Sequence, residues 1–205
     1  MYNVTPKIKN LGTQEYQPTW QAMQTFTQNR DENTEDEIWL LEHPSVYTLG
    51  RNGKAEHLLN ETNIPVIKVD RGGQITYHGP GQLIIYLLID LKRRQLGVRQ
   101  FVTIIEESII TLLSQYSIVA NSDKQAPGVY VDKKKIAALG IRVSKGCTTH
   151  GLSLNIDMDL SPFKNINPCG YADLEVTQCK ALGISKNIET LANELTHILI
   201  KKISK

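Results

Sequence analysis

The chain of 205 residues carries little net charge, 23 Lys and Arg against 21 Asp and Glu, an excess of +2. Gripping a phosphate backbone needs a clustered basic surplus, so this balance argues against nucleic acid as the main partner. Long hydrophobic runs are missing too. The longest, Leu83–Ile89, falls far short of the roughly 20 apolar residues that span a bilayer. The opening residues, MYNVTPKIKN, lack the apolar stretch of a secretory signal, so a soluble cytoplasmic protein that binds no membrane is expected. Cysteine is scarce and odd in number: Cys147, Cys169 and Cys179. With no export signal, a disulfide scaffold is not expected, and each thiol has to be weighed as core filler, ligand or nucleophile. Repeats, low-complexity tracts and linkers rich in Pro, Gly or Ser are absent. One domain over residues 1–205 follows, and 40% hydrophobic with 21% charged residues is enough to build its core.

Periodicity outlines the elements. Trp20, Met23 and Phe26 recur at helical spacing between Tyr16 and Asn29, and a polar loop follows from Arg30 to Glu37. Ile38–Leu41, Val46–Leu49 and Pro65–Val69 are strand-length apolar runs, and Leu83–Leu91 reads as a central strand covered on both faces. Phe101, Ile105, Ile109, Leu112 and Tyr116 form the stripe of an amphipathic helix. Gly128–Val131 and Lys135–Val143, separated by Asp132-Lys133-Lys134, predict a hairpin, and Leu152–Ile156 predicts a further strand. A last helix carries Ile188, Leu191, Leu195, Ile198 and Leu199, with Ser185 as its expected N-cap. Hairpins mixed with helices that pack on one side predict an α+β or mixed α/β fold, with a central, largely antiparallel sheet.

The segment Arg71-Gly72-Gly73-Gln74-Ile75-Thr76-Tyr77-His78-Gly79-Pro80-Gly81-Gln82 holds four of the 14 glycines and runs straight into the buried strand. Glycine at this density lets backbone approach a ligand closely, though two tight turns would account for it as well. No Gly-Lys-Ser/Thr follows, so this is not a Walker loop, and no helix follows either, which excludes a dinucleotide fingerprint. Arg71, Thr76, Tyr77 and His78 are more than a turn requires.

RGGQITYHGPGQLIIYLLIDLKR resembles the signature of the LipB family, the octanoyl-[acyl carrier protein]:protein N-octanoyltransferases. The likeness extends through EHPSVYTLGR (Glu42–Arg51), PGVYVDKKKIAALGIRV (Pro127–Val143), THGLSLNID (Thr149–Asp157) and NPCGYAD (Asn167–Asp173). Separated blocks in the right order are more specific than any single motif. The resemblance implies a biotin/lipoate protein ligase-like fold. Those ligases typically carry a block of the type R-x-S-G-G-G-A-V-Y-H-D, and Gln74-Ile75-Thr76 in the corresponding place favours the transferase branch.

Cys169, between Pro168 and Gly170, suits either a presented nucleophile or a small buried residue in a turn. Lys135 is by itself one of three consecutive lysines, although the apolar Ile136–Leu139 that follows hints at the core side of the hairpin. The resemblance selects Cys169 as the acylated nucleophile and Lys135 as its partner. An ammonium beside a thiol stabilises the thiolate, and a desolvated lysine can afterwards act as general base. The resemblance also implies an acyl slot lined by Arg71, Gly72, Gly73, Gln74, Ile75, Thr76, Tyr77, His78, Ala138, Leu139, Gly140, Gly151, Leu152 and Ser153. His150 is left open between core and site. Cys147-x-x-His150 with the other thiols lacks the paired C-x-x-C spacing of zinc sites, so no metal is expected. The implied reaction transfers octanoyl or lipoyl from acyl carrier protein to a lysine of a lipoyl domain, on 2-oxoacid dehydrogenase subunits or the glycine cleavage H protein. It needs no cofactor and no ATP, and the expected enzyme is a monomer. Lys92-Arg93-Arg94 and Lys133-Lys134 are either solvated charge runs or a contact for the acidic carrier.

Overall fold

A computed structural model describes residues 4–60, 62–123, 126–167 and 174–204. In chain order the elements are β1 Lys7–Thr13, α1 Tyr16–Gln28, β2 Glu37–Glu42, β3 Val46–Leu49, β4 Val66–Lys68, β5 Ile75–His78, β6 Gln82–Leu88, α2 Val98–Gln115, β7 Asn121–Ser122, β8 Gly128–Val131, β9 Lys134–Ser144, β10 Cys147–Asn155 and α3 Ile188–Ile203. Seven strands form one sheet in the order β1-β2-β6-β10-β9-β8-β7, and β4-β3-β5 form a second. Among these strands β1 pairs with β2 and β3 with β4 in parallel, and the other paired strands run antiparallel. This is the mixed, largely antiparallel architecture that the sequence predicts.

The burial pattern accounts for the layers. β6 is buried at every position, so both faces of the large sheet are covered at its centre. On one face Ile85, Leu87 and Leu152 meet Phe101, Ile105, Ile109 and Leu112 of α2 and Leu191, Leu195 and Leu199 of α3. On the other, Ile84, Tyr86 and Leu88 pack with Trp39, Leu41 and Met23, with Trp20 and Phe26 against them. The prediction that the helices pack on one side is therefore corrected: α1 covers the opposite face. Its stripe lies on a helix too short for periodicity alone to say which face it will cover.

Three further differences have local causes. The cap of α3 is Asn187, whose Oδ1 accepts from the Thr190 N–H at 2.8 Å, and not Ser185. β10 starts at Cys147, five residues before the predicted Leu152, because polar Thr148 and Thr149 are buried there and Thr148 Oγ1 bonds the backbone at Leu87 of β6 and at Ile89 just past its end. Arg93 and Arg94 are not a solvated run. With Arg30 they converge on Asp36, which is 1% exposed; Arg94 Nε lies 2.6 Å and Arg30 Nη2 2.5 Å from its carboxylate. Three guanidiniums around one buried carboxylate fasten the approach to β2 onto the turn after β6. The hairpin β8–β9 turns through Asp132 and Lys133, both left-handed at φ 47° and 66°, as a type I′ turn requires. No helix among the described residues is long and apolar enough to cross a membrane.

Candidate active site

Register builds a trough across the middle of the large sheet. Tyr86 of β6 faces Gly151 of β10, which faces Gly140 of β9; two residues along, Ile84, Ser153 and Ala138 form the next row. Residues directly opposite on antiparallel strands share a face, so these six lie on the α1 side, while Ile85 and Leu152 turn into the other core. Four of the six are Gly, Ala or Ser, and the trough floor is correspondingly low.

The glycine segment forms its roof. Gly72 N–H donates to the carbonyl of Ile141 at 3.3 Å, which lays the strap Arg71–Gly73 across β9. A Cβ on Gly140 would sit 3.0 Å from Arg71 Cδ, and one on Gly50 would meet the Gly73 carbonyl at 2.2 Å, so the strap is held between two glycines. Arg71 donates through Nε and Nη2 to Thr48 Oγ1 at 3.2 and 2.8 Å and through Nη2 to the Thr48 carbonyl at 2.6 Å. Of the residues implied for the substrate, Arg71, Gly73, Gln74, Ile75, Thr76, His78, Ala138, Leu139, Gly140, Gly151, Leu152 and Ser153 line one cavity. Tyr77 alternates away from it and packs against Tyr47 and Phe163, its hydroxyl 2.9 Å from Ser45. Gly72 enters through its backbone, as the tie to Ile141.

Sequence reasoning missed Tyr16, Ile84 and Tyr86, which also line the cavity. Their signal is faint, two of them lying inside an unbroken apolar run. Gly151 shows how close the floor strands lie: a Cβ there would fall 2.0 Å from the Ile85 carbonyl oxygen. Gly151→Ala is therefore expected to push β6 and β10 apart and cost about 1–3 kcal/mol, the usual range for overpacking. Chemical unfolding would measure it, and an unchanged midpoint would contradict this packing.

His78 belongs to a directional polar chain. Arg71 donates to Thr48 Oγ1, whose hydroxyl points to His78 Nε2 at 3.3 Å. His78 Nδ1 donates to Gln82 Oε1 at 2.7 Å, Gln82 donates to Asn155, and Asn155 donates to the Thr177 carbonyl. The ring is thus neutral, and burial, with His43 adding to it, pushes its pKa down to about 3. His43 is similar: Nδ1 donates to the Gln14 carbonyl at 2.5 Å, Nε2 accepts from the Tyr86 hydroxyl at 2.7 Å, and burial lowers its pKa to about 4. Both rings hold elements together.

Asp70, just before the strap, accepts from His150 Nε2 at 2.8 Å and from Trp20 Nε1 at 2.8 Å, with Gln24 Nε2 and Arg142 Nε each 3.3 Å away. Burial opposes its ionisation, but the His150 and Trp20 bonds outweigh burial and hold its pKa below the ordinary carboxylate range.

Lys135 lies beyond Ala138 on β9 and is 4% exposed. Its Nζ donates to the Pro127 carbonyl at 3.3 Å and stands 5.2 Å from the centre of the Tyr130 ring. Gly128 leaves the space it occupies, since a Cβ there would come within 2.8 Å of Lys135 Cε. Glu106 of α2 accepts from Gly128 N–H at 3.2 Å; burial raises its pKa, against the pull of that bond and of the Lys135 charge. The backbone of Lys135 pairs with the returning chain: its N–H donates to Glu175 at 2.8 Å and its carbonyl accepts from Thr177 at 2.9 Å. Cys169 lies outside the described residues, but the flanks of its segment do not. Asn167, Glu175 and Val176 line one cleft with Lys134. The other thiols stay protonated: burial raises the pKa of Cys147, and pushes that of Cys179, which is 0% exposed, to about 12. Among the described residues no group of His, Cys, Asp and Glu is placed to hold a metal.

Known proteins resemble the chain over nearly its whole length. Residues 15–202 match the family described as lipoyl protein ligase A/B catalytic domain. An octanoyltransferase of Shewanella halifaxensis is 55% identical over 203 residues, 99% of this chain and 93% of the relative; one of Shewanella amazonensis is 58% identical over 192 residues, 94% and 89%. Among solved structures, lipoate-protein ligase A bound with ATP superposes with a TM-score of 0.81 at 12% identity, covering 97% of this chain and 85% of that one. Biotin protein ligase from Aquifex aeolicus gives 0.57 at 12% identity, covering 98% and 70%. The two ligases share the fold, and with relatives matched from end to end at more than half identity, the chain belongs to the octanoyltransferases of the lipoyl protein ligase A/B catalytic-domain family.

Proposed function

We propose that this acyltransferase takes octanoyl from the phosphopantetheine thioester of acyl carrier protein and delivers it to a lysine of a lipoyl domain through a thioester on Cys169. The supporting observation is the floor of small residues that runs along β9 away from the buried Lys135. An apolar chain gains about 0.8 kcal/mol per buried methylene in such a trough, so the tail supplies the binding and Lys135 stands at the reactive end. Cys169 is two residues from Asn167, which lines the same cleft as Lys134, Glu175 and Val176.

The steps balance with these residues alone. The Cys169 thiolate, stabilised by the Lys135 ammonium, attacks the thioester carbonyl. The bond to the carrier sulfur breaks, and the departing thiolate takes a proton from Lys135. The acceptor lysine, as free amine, then attacks the acyl-enzyme. Cys169 leaves as thiolate, and Lys135 recovers its proton from the new amide nitrogen. Thioester to amide is downhill, so ATP has no part.

Incubation with octanoyl-carrier protein and no ATP should give an octanoyl adduct on the intact protein, discharged by a lipoyl domain. Absence of an adduct on the wild type would overturn the reading. Transfer that requires ATP and free octanoic acid, and survives Cys169→Ser, would make the protein a ligase instead.

A further inference from the structure

We infer that His150 sets the length of the acyl chain, acting as the stop for its far end; this rests on the transferase reading above. The ruler is β9. Ile141, which faces His150 on β10, lies six residues beyond Lys135, about 20 Å at the ordinary strand rise. The first half is taken up by the Lys135 side chain and the thioester. The second, from Ala138 to Ile141, spans about 10 Å of strand, close to the reach of an extended eight-carbon chain. The slot is closed at this level, where Gly72 is tied to the Ile141 carbonyl and Arg71 covers Gly140.

His150 is held at that end against its local preference. Strict alternation would put its side chain in the core with Leu152, but a backbone φ of 62° turns the ring onto the trough face. There it meets the edge of Tyr86, with centroids 6.1 Å apart, and lines the cavity. A left-handed conformation at a bulky residue persists only where the surroundings impose it, and such strain gathers at ligand sites. The imposing group is Asp70: by accepting from Nε2 it fixes the proton there and leaves Nδ1 as an acceptor. Nδ1 is buried and has no partner among the described residues, in a side chain 2% exposed.

A wall at the end of an apolar slot discriminates by length. Each added methylene strengthens binding about fourfold while it is buried against carbon. A chain too long for the slot is driven against the His150 ring and the strap, and overpacking of that kind loses about 5- to 150-fold, which cancels about one to three methylenes.

The test compares octanoyl-, decanoyl- and dodecanoyl-carrier protein on wild type and His150→Asn. Asparagine tolerates positive φ but is shorter. Wild type should prefer octanoyl over dodecanoyl by at least about tenfold in kcat/KM, and His150→Asn should move the optimum to ten or twelve carbons. A ratio that stays within twofold of wild type in the folded variant overturns the inference. Should His150→Asn fail to fold, His150→Gly, which removes both the strain and the stop, gives the same comparison. If the wild type transfers no chain of any length, the transferase reading has failed; if it transfers them all equally, the stop alone has.

Discussion

Lys135→Met is expected to slow acylation of Cys169 by about 10²- to 10⁴-fold, the span that a positioned acid–base group contributes, and Cys169→Ala should abolish the adduct. Methionine keeps the length and apolar stem of lysine, so the packing beside Tyr130 and Gly128 should survive. The distinguishing sign is the pH profile. A thiol without its ammonium returns toward a pKa of about 8.5, so the variant should regain part of its rate as the pH rises through 8 to 9. A stopped-flow or quenched assay of adduct formation from pH 6.5 to 9.5 would show it. A variant that acylates at the wild-type rate at neutral pH would remove Lys135 from the mechanism.

Acid should unfold the protein early, because His43 and His78 are buried as neutral rings. Their folded pKa values, about 4 and about 3, lie below the unfolded value near 6.5. Between these limits the unfolded chain binds protons that the folded chain refuses, so stability is whole above 6.5 and is lost as the pH falls. From pH 7.5 to 5.5 each ring accounts for about 1.4 kcal/mol, roughly 3 kcal/mol for the pair. Around them lie Tyr16, Tyr86, Arg71, Asp70 and His150; burial lowers the pKa of His150 too, which adds a loss of the same sign, and Asp70, with its lowered pKa, adds one only below about 4. Urea titrations at the two pH values would measure the difference, and His43→Gln should take about 1.4 kcal/mol out of it. Equal midpoints at pH 7.5 and 5.5 would mean that these rings take up protons when folded.

How far the sequence could be read depends on whether a residue's role is local. Trp20, Met23 and Phe26 mark α1 because their spacing is intrinsic to a helix, and the apolar runs Ile38–Leu41 and Leu83–Ile89 mark β2 and β6 because burial on both faces leaves no place for a polar side chain within them. β5 is hidden inside the glycine segment, since its four residues pair only with β3, far away in sequence. β1 is a parallel edge strand, mostly exposed, with no apolar alternation to betray it. Arg93 and Arg94 read as solvated because nothing nearby announces that Asp36, more than fifty residues earlier, will take both into the interior. In the site, the blocks at Arg71–His78, Ala138–Gly140 and Gly151–Ser153 could be picked out by resemblance to known octanoyltransferases. Their meeting could not, because it depends on register across three strands. Nor could the part of His150, which rests on a backbone angle and a distant aspartate.

The run from Ala138 to Ile141 also limits how such an enzyme can change over generations. Between Lys135 and Ala138 the strand already carries a bulge, with Ile136 and Ala137 both turned into the core, so an extra residue is absorbed there. Beyond the bulge side chains alternate with a period of two, and inserting or deleting one residue between Ala138 and Gly140 would leave those two on opposite faces. Loop insertions elsewhere would leave the span untouched. New chain-length preferences are therefore open to point substitutions at the floor and the far end, and closed to indels between Ala138 and Gly140.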